Sequence, residues 1–439
     1  MTGALLVILI LDLVMPNLPF IGPQSSQALA TEPFFVVEVL ICVVAQASYL
    51  IILKAKNELN PTVGQFRKYA NAIFYGVSIA QLIISSLLIA ITLQVKFFSQ
   101  YYTSLLLASI LLSLSLSVTL STFLAFRFFL WIRYKGDYQL VAYTSAAILI
   151  SINSIFIASF VWLEIQGRTL IVDPSILSSN LLPTNYDLHQ IQSIISIASF
   201  IMLWIASAFL LRRHRKKWGM TKFYAVISLP LLYYLGVIQL ILTYVLSQYQ
   251  ILSPVQSYTF NAINSSLTRP VGGVLFGVAF WMVGMGVTEK KISDYMKLSA
   301  VGIMLISISN QDAGLSLLPY PPFGLPTITF AGLSSYLLFV GIYYSSVSIS
   351  VNSELRKNIE STVDQQFRFV SKLGRSEMEN EIQNKVKNIT RRLQDVLEEN
   401  SGIEASLENR DIEDYVKLVL DEKEKMMKNT NSKGGQKQG

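Results

Sequence analysis

Long apolar runs separated by short polar stretches dominate the first 350 residues of the chain. A helix rises about 1.5 Å per residue and the hydrocarbon core of a bilayer is roughly 30 Å thick, so about 20 apolar residues cross it. Backbone polar groups find no water at that depth, so helices are the expected structure. The predicted spans are 34–53, 71–94, 101–126, 139–163, 190–211, 222–246, 263–287, 295–310 and 328–349.

These nine runs predict an all-α fold, a polytopic transmembrane helix bundle over residues 31–349. The run 295–310 is the shortest, and a proline-rich stretch follows it. A partial or re-entrant segment is therefore the alternative for this run.

The first 30 residues have two interpretations. Residues 3–15 are apolar, and Ala28-Leu29-Ala30 offers a small-residue cleavage site, as in a secretory signal peptide. However, no Lys or Arg precedes the apolar stretch and Asp12 interrupts it, so a retained tenth helix is the alternative. A signal-like segment over residues 1–30 is the preferred interpretation, and both interpretations place Thr31 on the outer side.

Positive charge is distributed unevenly between the two sets of connecting loops. The opposite-side loops hold Lys96, Arg168 and Arg269, whereas the other set holds sixteen basic residues: Lys54, Lys56, Arg67, Lys68, Arg127, Arg133, Lys135, Arg212, Arg213, Arg215, Lys216, Lys217, Lys222, Lys290, Lys291 and Lys297. Cytoplasmic loops are enriched in Lys and Arg. The first span is therefore expected to run from outside to inside, which leaves the C-terminal tail in the cytoplasm of a cell-membrane protein.

Composition agrees with a membrane protein and argues against several functions. The chain is 52% hydrophobic and 14% charged, with a formal net charge of +7. Residues 1–349 carry +8 and the remainder −1, so the basic excess orients the bundle and nucleic-acid binding is not expected. P-loop, dinucleotide-binding, zinc-protease and serine-hydrolase motifs are absent, and the single Cys42 cannot form a disulfide within the chain. No enzyme activity, cofactor or metal is predicted.

Ionisable and amide side chains inside apolar runs are costly, so they are candidates for a ligand or ion site. Glu38 and Arg269 are the charged candidates; Asn264, Gln81 and Gln239 would add polar lining. Glu38 near the outer end of its span, and Arg269 before Pro270, could instead reach the headgroup region. Whether Arg269 pairs with Glu38 does not follow from their spacing.

Small residues at helical spacing indicate close helix packing. Gly273 and Gly277 are four residues apart in the seventh run, and Ser113 and Ser117 belong to a row of serines at the same spacing in the third run. Small residues let two helices approach, and hydroxyls can bond to a neighbouring helix. Packing is the first interpretation of both features, and a polar conduit is the alternative for the serines.

Residues 319–327 contain four prolines and cannot form regular helix, so an extended outer or re-entrant loop is expected there. From Pro319 through Phe330-Ala331-Gly332-Leu333-Ser334-Ser335-Tyr336, to Ser345–Ser350 and the tail, the chain resembles a family of uncharacterised archaeal multi-pass membrane proteins. Those proteins have no established activity, so the resemblance assigns no functional residues.

The C-terminal tail, residues 350–428, has apolar positions at helical spacing and predicts short amphipathic cytoplasmic helices. Residues 429–439 are polar and predicted to be disordered. A one-sided helix needs a partner for its apolar face, either a cytoplasmic protein or another copy of the tail. The candidate interaction residues are Leu355, Ile359, Ile382, Ile389 and Leu393.

A bundle joined directly to such a tail favours a membrane sensor or signalling-type protein, whose partners are the lipid bilayer and a cytoplasmic protein. A transporter or permease of a small solute is the alternative, because broken helices near prolines and polar positions in several spans suit a midplane site. A structural subunit of a membrane complex is the third interpretation.

Overall fold

The computed structural model describes residues 2–15, 25–58, 65–134, 138–166, 171–172, 186–212, 219–248, 254–287, 289–310, 320–351, 373–379, 382–383, 385–386 and 388–390. Two short antiparallel strands, β1 (Tyr101–Tyr102) and β2 (Ile171–Val172), pair with Tyr101 opposite Val172. The helices are α1 (Thr2–Val14), α2 (Ser25–Glu58), α3 (Gln65–Phe98), α4 (Thr103–Tyr134), α5 (Tyr138–Gln166), α6 (Tyr186–Leu211), α7 (Met220–Tyr234), α8 (Val237–Gln248), α9 (Pro254–Gly286), α10 (Lys290–Ser309), α11 (Leu325–Ile328) and α12 (Phe330–Val351).

The predicted helical bundle is confirmed. In the described part of the chain, eight helices are long and apolar enough to cross a membrane: Thr31–Ala55, Ala70–Phe98, Thr103–Arg133, Tyr138–Leu163, Gln190–Leu211, Ser266–Gly286, Lys290–Ser309 and Leu325–Ser350. Each coincides with one of the nine predicted runs. The run 295–310 begins five residues earlier than predicted, and its 20 residues give a helix about 30 Å long, the thickness of a hydrocarbon core.

The remaining predicted run, 222–246, is divided into two helices. α7 ends at Tyr234 and α8 begins at Val237, and Gly236 between them has a φ of +75°. Glycine adopts this left-handed conformation without the steric cost that a side chain imposes. The break is tight, because Leu235 N–H still donates to Leu231 O at 2.9 Å and Leu240 N–H donates to Gly236 O at 2.8 Å.

Large apolar side chains cover much of the outer surface of the bundle. Val44 on α2, Leu82 on α3 and Leu240 on α8 are 65%, 65% and 72% exposed. Soluble monomers rarely expose large continuous apolar areas. These faces are suited to lipid, in agreement with the assignment of the helices as membrane spans.

Helix α12 lies in the middle of the bundle. All of the apolar window in the span Leu325–Ser350 is buried, and α12 packs most extensively against α10 and also against α4. The crossing with α10 is very close at two glycines. A Cβ on Gly302 would lie 2.5 Å from Leu338 N, and a Cβ on Gly341 would lie 2.5 Å from Tyr295 O.

The two ends of the bundle differ in charge. Arg127 at the end of α4 lies 5.1 Å from the ring of Tyr343 near the end of α12, and Tyr295 at the start of α10 contacts Tyr344. We call this the basic end, because Arg133, Lys290 and Lys291 are exposed there. The β1–β2 pair lies at the opposite end, where Tyr101 stacks on Tyr320 with a centroid distance of 6.3 Å.

Helix α1 is a half-length helix inside this assembly. Its 13 residues span about 20 Å, so it is too short to cross a bilayer by itself. Leu5, Leu9 and Leu13 are buried in the main apolar core, and Tyr49 of α2 donates a hydrogen bond to Thr2 Oγ1 at 3.1 Å. The apolar face of α1 is thus part of the core of the bundle.

Candidate functional site

The proline-containing segment enters the bundle interior. Residues 320–329, from Tyr320 through α11 to Thr329, are all buried, and only the four residues of α11 within them are helical. Backbone that is not in a regular helix is tolerated at membrane depth only where protein or a cavity supplies hydrogen-bond partners. We call residues 320–329 the buried break, and several helices supply its partners.

Asp12 of α1 supplies the partners at the start of α11. Its carboxylate accepts hydrogen bonds from Gly324 N–H at 2.6 Å, from Thr327 N–H at 2.9 Å and from the Thr327 hydroxyl at 2.6 Å. The first N–H groups of a helix have no partner within the helix, and a negative charge there is stabilised by the helix dipole. Asp12 therefore acts as a cap for α11, provided by a helix more than 300 residues away in sequence.

Polar side chains of three other helices hold the far end of the buried break. Ser113 of α4 donates to Ile328 O at 2.8 Å, and Gln81 of α3 donates to Thr329 O at 3.4 Å. Gln46 of α2 donates to the Thr329 hydroxyl at 3.1 Å. The carbonyls released where α11 ends and α12 begins are therefore satisfied by side chains rather than by water.

Glu32 holds the entrance of the same segment. The Tyr320 hydroxyl donates to Glu32 Oε1 at 2.7 Å, and Phe35 and Phe323 pack edge to face with a centroid distance of 5.6 Å. Two of the predicted polar residues, Gln81 and Ser113, thus converge on the buried break together with residues that were not singled out from the sequence.

Glu38 lies on the face of α2 that looks into the bundle, one turn before Cys42 and two turns before Gln46. It is 2% exposed, and neither carboxyl oxygen has a hydrogen-bond partner in the described part of the structure. It lies close enough to Asp12 for the two carboxyl groups to interact electrostatically. Since it has no such partner, Glu38 is not hydrogen-bonded to Arg269, and the two predicted charged residues belong to separate places.

Arg269 borders a small polar cavity between α5, α6, α9 and α10. Its guanidinium donates hydrogen bonds to Asn310 O and to Ser196 Oγ. The cavity has a volume of about 30 Å³, room for about two waters, and Asn153 and Ser199 also line it. Ser196 in turn shares a hydrogen bond with the Tyr234 hydroxyl at 3.2 Å, so the guanidinium is held in a polar network.

The other predicted polar residues lie away from both places. Asn264 on α9 accepts a hydrogen bond from the Tyr233 hydroxyl through Oδ1 at 3.0 Å. Gln239 belongs to α8, but its side chain is outside the described residues. In the regions that the structure describes, no group of three or more His, Cys, Asp and Glu side chains is arranged to hold a metal ion.

The predicted packing residues lie at helix contacts. A Cβ on Gly273 would lie 2.5 Å from Ser307 Cβ, and one on Gly277 would lie 2.8 Å from Ala300 O, so both glycines are at the contact of α9 with α10. Ser117 of α4 and Ser335 of α12 share a hydrogen bond of 2.7 Å. The serine row of α4 therefore faces α12 and the buried break, where its hydroxyls are used in helix packing.

The tail returns to the basic end of the bundle. Glu377 in the helical segment 373–379 is 3% exposed, and its Oε2 accepts a hydrogen bond from Trp131 Nε1 at 2.8 Å. Its Oε1 lies 3.7 Å from Arg127 Nη1. We call these three residues the tail clasp. A Cβ on Gly374 would lie 2.5 Å from Ile349 Cβ, so the segment also packs on the end of α12.

The predicted tail residues are described only in part. Ile382 is partly buried and Ile389 is 58% exposed, whereas Leu355, Ile359 and Leu393 lie outside the described residues. The tail residue with the most extensive polar contacts, Glu377, was not among those predicted. Its sequence signal is weak, because a glutamate in a charged tail is ordinary unless its partners on α4 are known.

These helices, with their buried break and lipid-facing surfaces, define a multi-pass helical membrane protein. No protein-family model, no curated protein and no solved structure matches the chain. The resemblance to an archaeal membrane-protein family, carried by the segment from Pro319 onward, remains an expectation from the sequence.

Proposed function

We propose that this protein is a membrane sensor of the signalling type, in which the tail reports the arrangement of the bundle to a cytoplasmic protein. The observation that carries the proposal is the tail clasp. Glu377 is buried against Trp131 and Arg127 of α4, while its own segment follows the central helix α12 in the chain. The tail segment therefore contacts both helices and depends on their relative position.

Arg127 makes this dependence specific. The same guanidinium lies over the ring of Tyr343 on α12 and beside the carboxylate of Glu377. If α12 shifts relative to α4, Arg127 cannot keep both contacts, and Glu377 loses part of its partner set. A buried carboxylate without its partners is unfavourable by several kcal/mol, so the tail segment would leave the bundle. Release exposes its apolar face to a partner.

Substitution of Glu377 tests the proposal in the full-length protein. Glu377→Ala removes both contacts of the clasp, and the tail should become accessible to limited proteolysis in membranes at least tenfold faster than in the wild type. Glu379→Ala is the matched control, because Glu379 lies in the same segment but pairs with Arg375 within it at 3.1 Å. The control should digest at the wild-type rate.

Partner binding gives the second readout. Affinity purification from membranes of the native host should recover a protein that depends on residues 355–428, and its amount should change at least threefold in Glu377→Ala but not in Glu379→Ala. If deletion of residues 355–428 removes no captured protein, the sensor proposal fails. Equal proteolysis of the two glutamate variants would remove the role of the clasp.

A transporter is the second candidate, and Glu38 favours it. This carboxyl group is buried in the bundle without a hydrogen-bond partner among the described residues and lies close to Asp12, which caps the buried break. Discontinuous helices and intramembrane carboxyl groups are typical of ion-coupled transport sites. Under this alternative, Glu38 exchanges a proton or a cation during transport.

Proton flux distinguishes the candidate transporter from the sensor. The purified protein in vesicles that contain a pH-sensitive dye should dissipate an imposed pH gradient, and Glu38→Gln should slow this at least tenfold. Glu289→Gln is the control, because Glu289 lies at the basic end, before α10. Gradient decay equal to that of protein-free vesicles excludes proton transport by this chain.

A further inference from the structure

We infer that the cavity beside Arg269 binds a small monovalent anion, of the size of chloride or formate. The cavity lies at the contact of four helices, α5, α6, α9 and α10, and is separate from both the buried break and the tail clasp. As the signal that a sensor perceives, the anion rests on the proposed function; as a binding site, it does not.

The first argument is charge. Arg269 is the charged residue among the described side chains that line the cavity, and its guanidinium is positive at any pH that a protein tolerates. A positive charge within a membrane helix is costly, and a bound anion offsets that cost. The surrounding helices also exclude most of the water, so an anion in the cavity would interact with the guanidinium more strongly than in solution.

The second argument is the polar lining. Asn153 is 1% exposed and lines the cavity, and its Oδ1 has no hydrogen-bond partner in the described part of the structure. The oxygen and nitrogen of an amide exchange places by rotation of the group, so the end that faces the cavity can be a donor. Ser199 and Ser307 hydroxyls line the same space. An anion there would meet the guanidinium, an amide and hydroxyls.

The third argument is size and position. About 30 Å³ accommodates one small anion, with or without a water, but excludes a phosphate ester or a lipid headgroup. Arg269 is held in place by Asn310 O and Ser196 Oγ, one on α10 and one on α6. An anion that pulls on the guanidinium would therefore act on both helices, and α10 packs directly on the central helix α12.

Thermal unfolding of the full-length protein in lipid nanodiscs tests the inference. The unfolding midpoint is measured in sodium gluconate at constant ionic strength, into which chloride, bromide, formate or sulfate is titrated. The wild type should show a saturable rise of the midpoint with chloride, bromide and formate, and none with sulfate, which is larger and doubly charged. Constant ionic strength removes general screening from the comparison.

Arg269→Gln should abolish the saturable rise, and Arg269→Lys should raise the half-maximal anion concentration at least tenfold, because Lys keeps the charge but not the planar array of donors. Lys96→Gln is the matched control, since Lys96 is exposed at the end of α3 and should leave the response unchanged. If Arg269→Gln does not fold, Asn153→Leu keeps the guanidinium and fills the cavity, and should weaken the response at least tenfold.

The same midpoint in all four anions would overturn the inference, as would a wild-type response in both Arg269→Gln and Asn153→Leu. Glu377→Ala separates this result from the proposed function, because the clasp is not part of the cavity and the anion response should persist in that variant. Loss of the anion response together with intact tail-dependent capture would remove the anion site alone.

Discussion

At the scale of single residues, buried acidic side chains hold together parts of the chain that are far apart in sequence. Asp12 accepts hydrogen bonds from Gly324 and Thr327, Glu32 accepts one from Tyr320, and Glu377 accepts one from Trp131. Hydrogen bonds to ionised acceptors are roughly twice as strong as neutral ones. Leaving either partner buried alone is costly, so these contacts specify one arrangement of the helices.

Asp12→Ala should destabilise the protein without preventing insertion into the membrane. Two buried backbone N–H groups, those of Gly324 and Thr327, lose their acceptor, at a cost of about 1–3 kcal/mol each. The thermal midpoint in nanodiscs should fall clearly. Asp12→Asn keeps one acceptor oxygen and should fall between the wild type and Asp12→Ala. A midpoint of Asp12→Ala equal to that of the wild type would show that Asp12 does not cap α11.

The sequence could identify which residues are unusual but not what they contact. Glu38, Arg269 and Gln81 stood out because polar groups are rare in apolar runs, and all three lie in the interior or at a cavity. Asp12 was interpreted only as an interruption of a signal-like stretch. Its role depends on Gly324 and Thr327, and no local pattern connects residues separated by more than 300 positions.

At the scale of helices, the closest contacts are made by single glycines on α10 and α12. Gly302 faces the backbone of Leu338, and Gly341 faces Tyr295 and Ser299. Without hydrophobic driving force between helices in lipid, close van der Waals contact contributes much of the helix association energy. The pair of glycines on α9 was visible in the sequence because its spacing is four residues, whereas Gly302 and Gly341 form no such local pattern.

Gly341→Ala should therefore destabilise the bundle by about 1–3 kcal/mol or more, because its Cβ would lie 2.5 Å from the Tyr295 carbonyl oxygen. Gly76→Ala is the matched control on α3, where a Cβ would meet nothing within 4 Å. There, alanine removes the helix cost of glycine and should leave the midpoint unchanged or slightly higher. Equal midpoints for the two variants would contradict the close crossing of α10 and α12.

Helix α1 should remain in the mature protein, contrary to the preferred interpretation of residues 1–30 as a signal-like segment. Removal of α1 would expose the sites that Leu5 and Leu9 fill and leave the start of α11 without Asp12. Intact-mass measurement of protein purified from native membranes tests this. A mass that corresponds to cleavage after Ala30 would contradict the retention of α1 and restore the signal-peptide interpretation.

At the scale of the whole molecule, spans were predictable because hydropathy is a property of the local sequence. The helices are longer than the apolar runs, since their ends continue into polar residues, and the division at Gly236 was missed because one glycine in an apolar run does not require a break. How the helices are arranged around α12 was not predictable, since each apolar face can pack on lipid or on protein.

The orientation of the bundle follows from the distribution of positive charge and is open to direct measurement. In a Cys42→Ser background, Lys96→Cys should react with a membrane-impermeant maleimide in intact cells, whereas Lys290→Cys should react only after permeabilisation. Both lysines are exposed, and Cys42 is buried. Labelling of both positions in intact cells would invalidate the cytoplasmic assignment of the basic end.

The burial of α12 on every side has a consequence for biosynthesis. As the last membrane helix that the structure describes, α12 leaves the ribosome after its neighbours, and its serine- and glycine-containing surface is poorly suited to lipid tails. The earlier helices must then hold open a vacant slot until α12 arrives. Nascent chains halted before residue 330 should be recognised by membrane quality-control proteases.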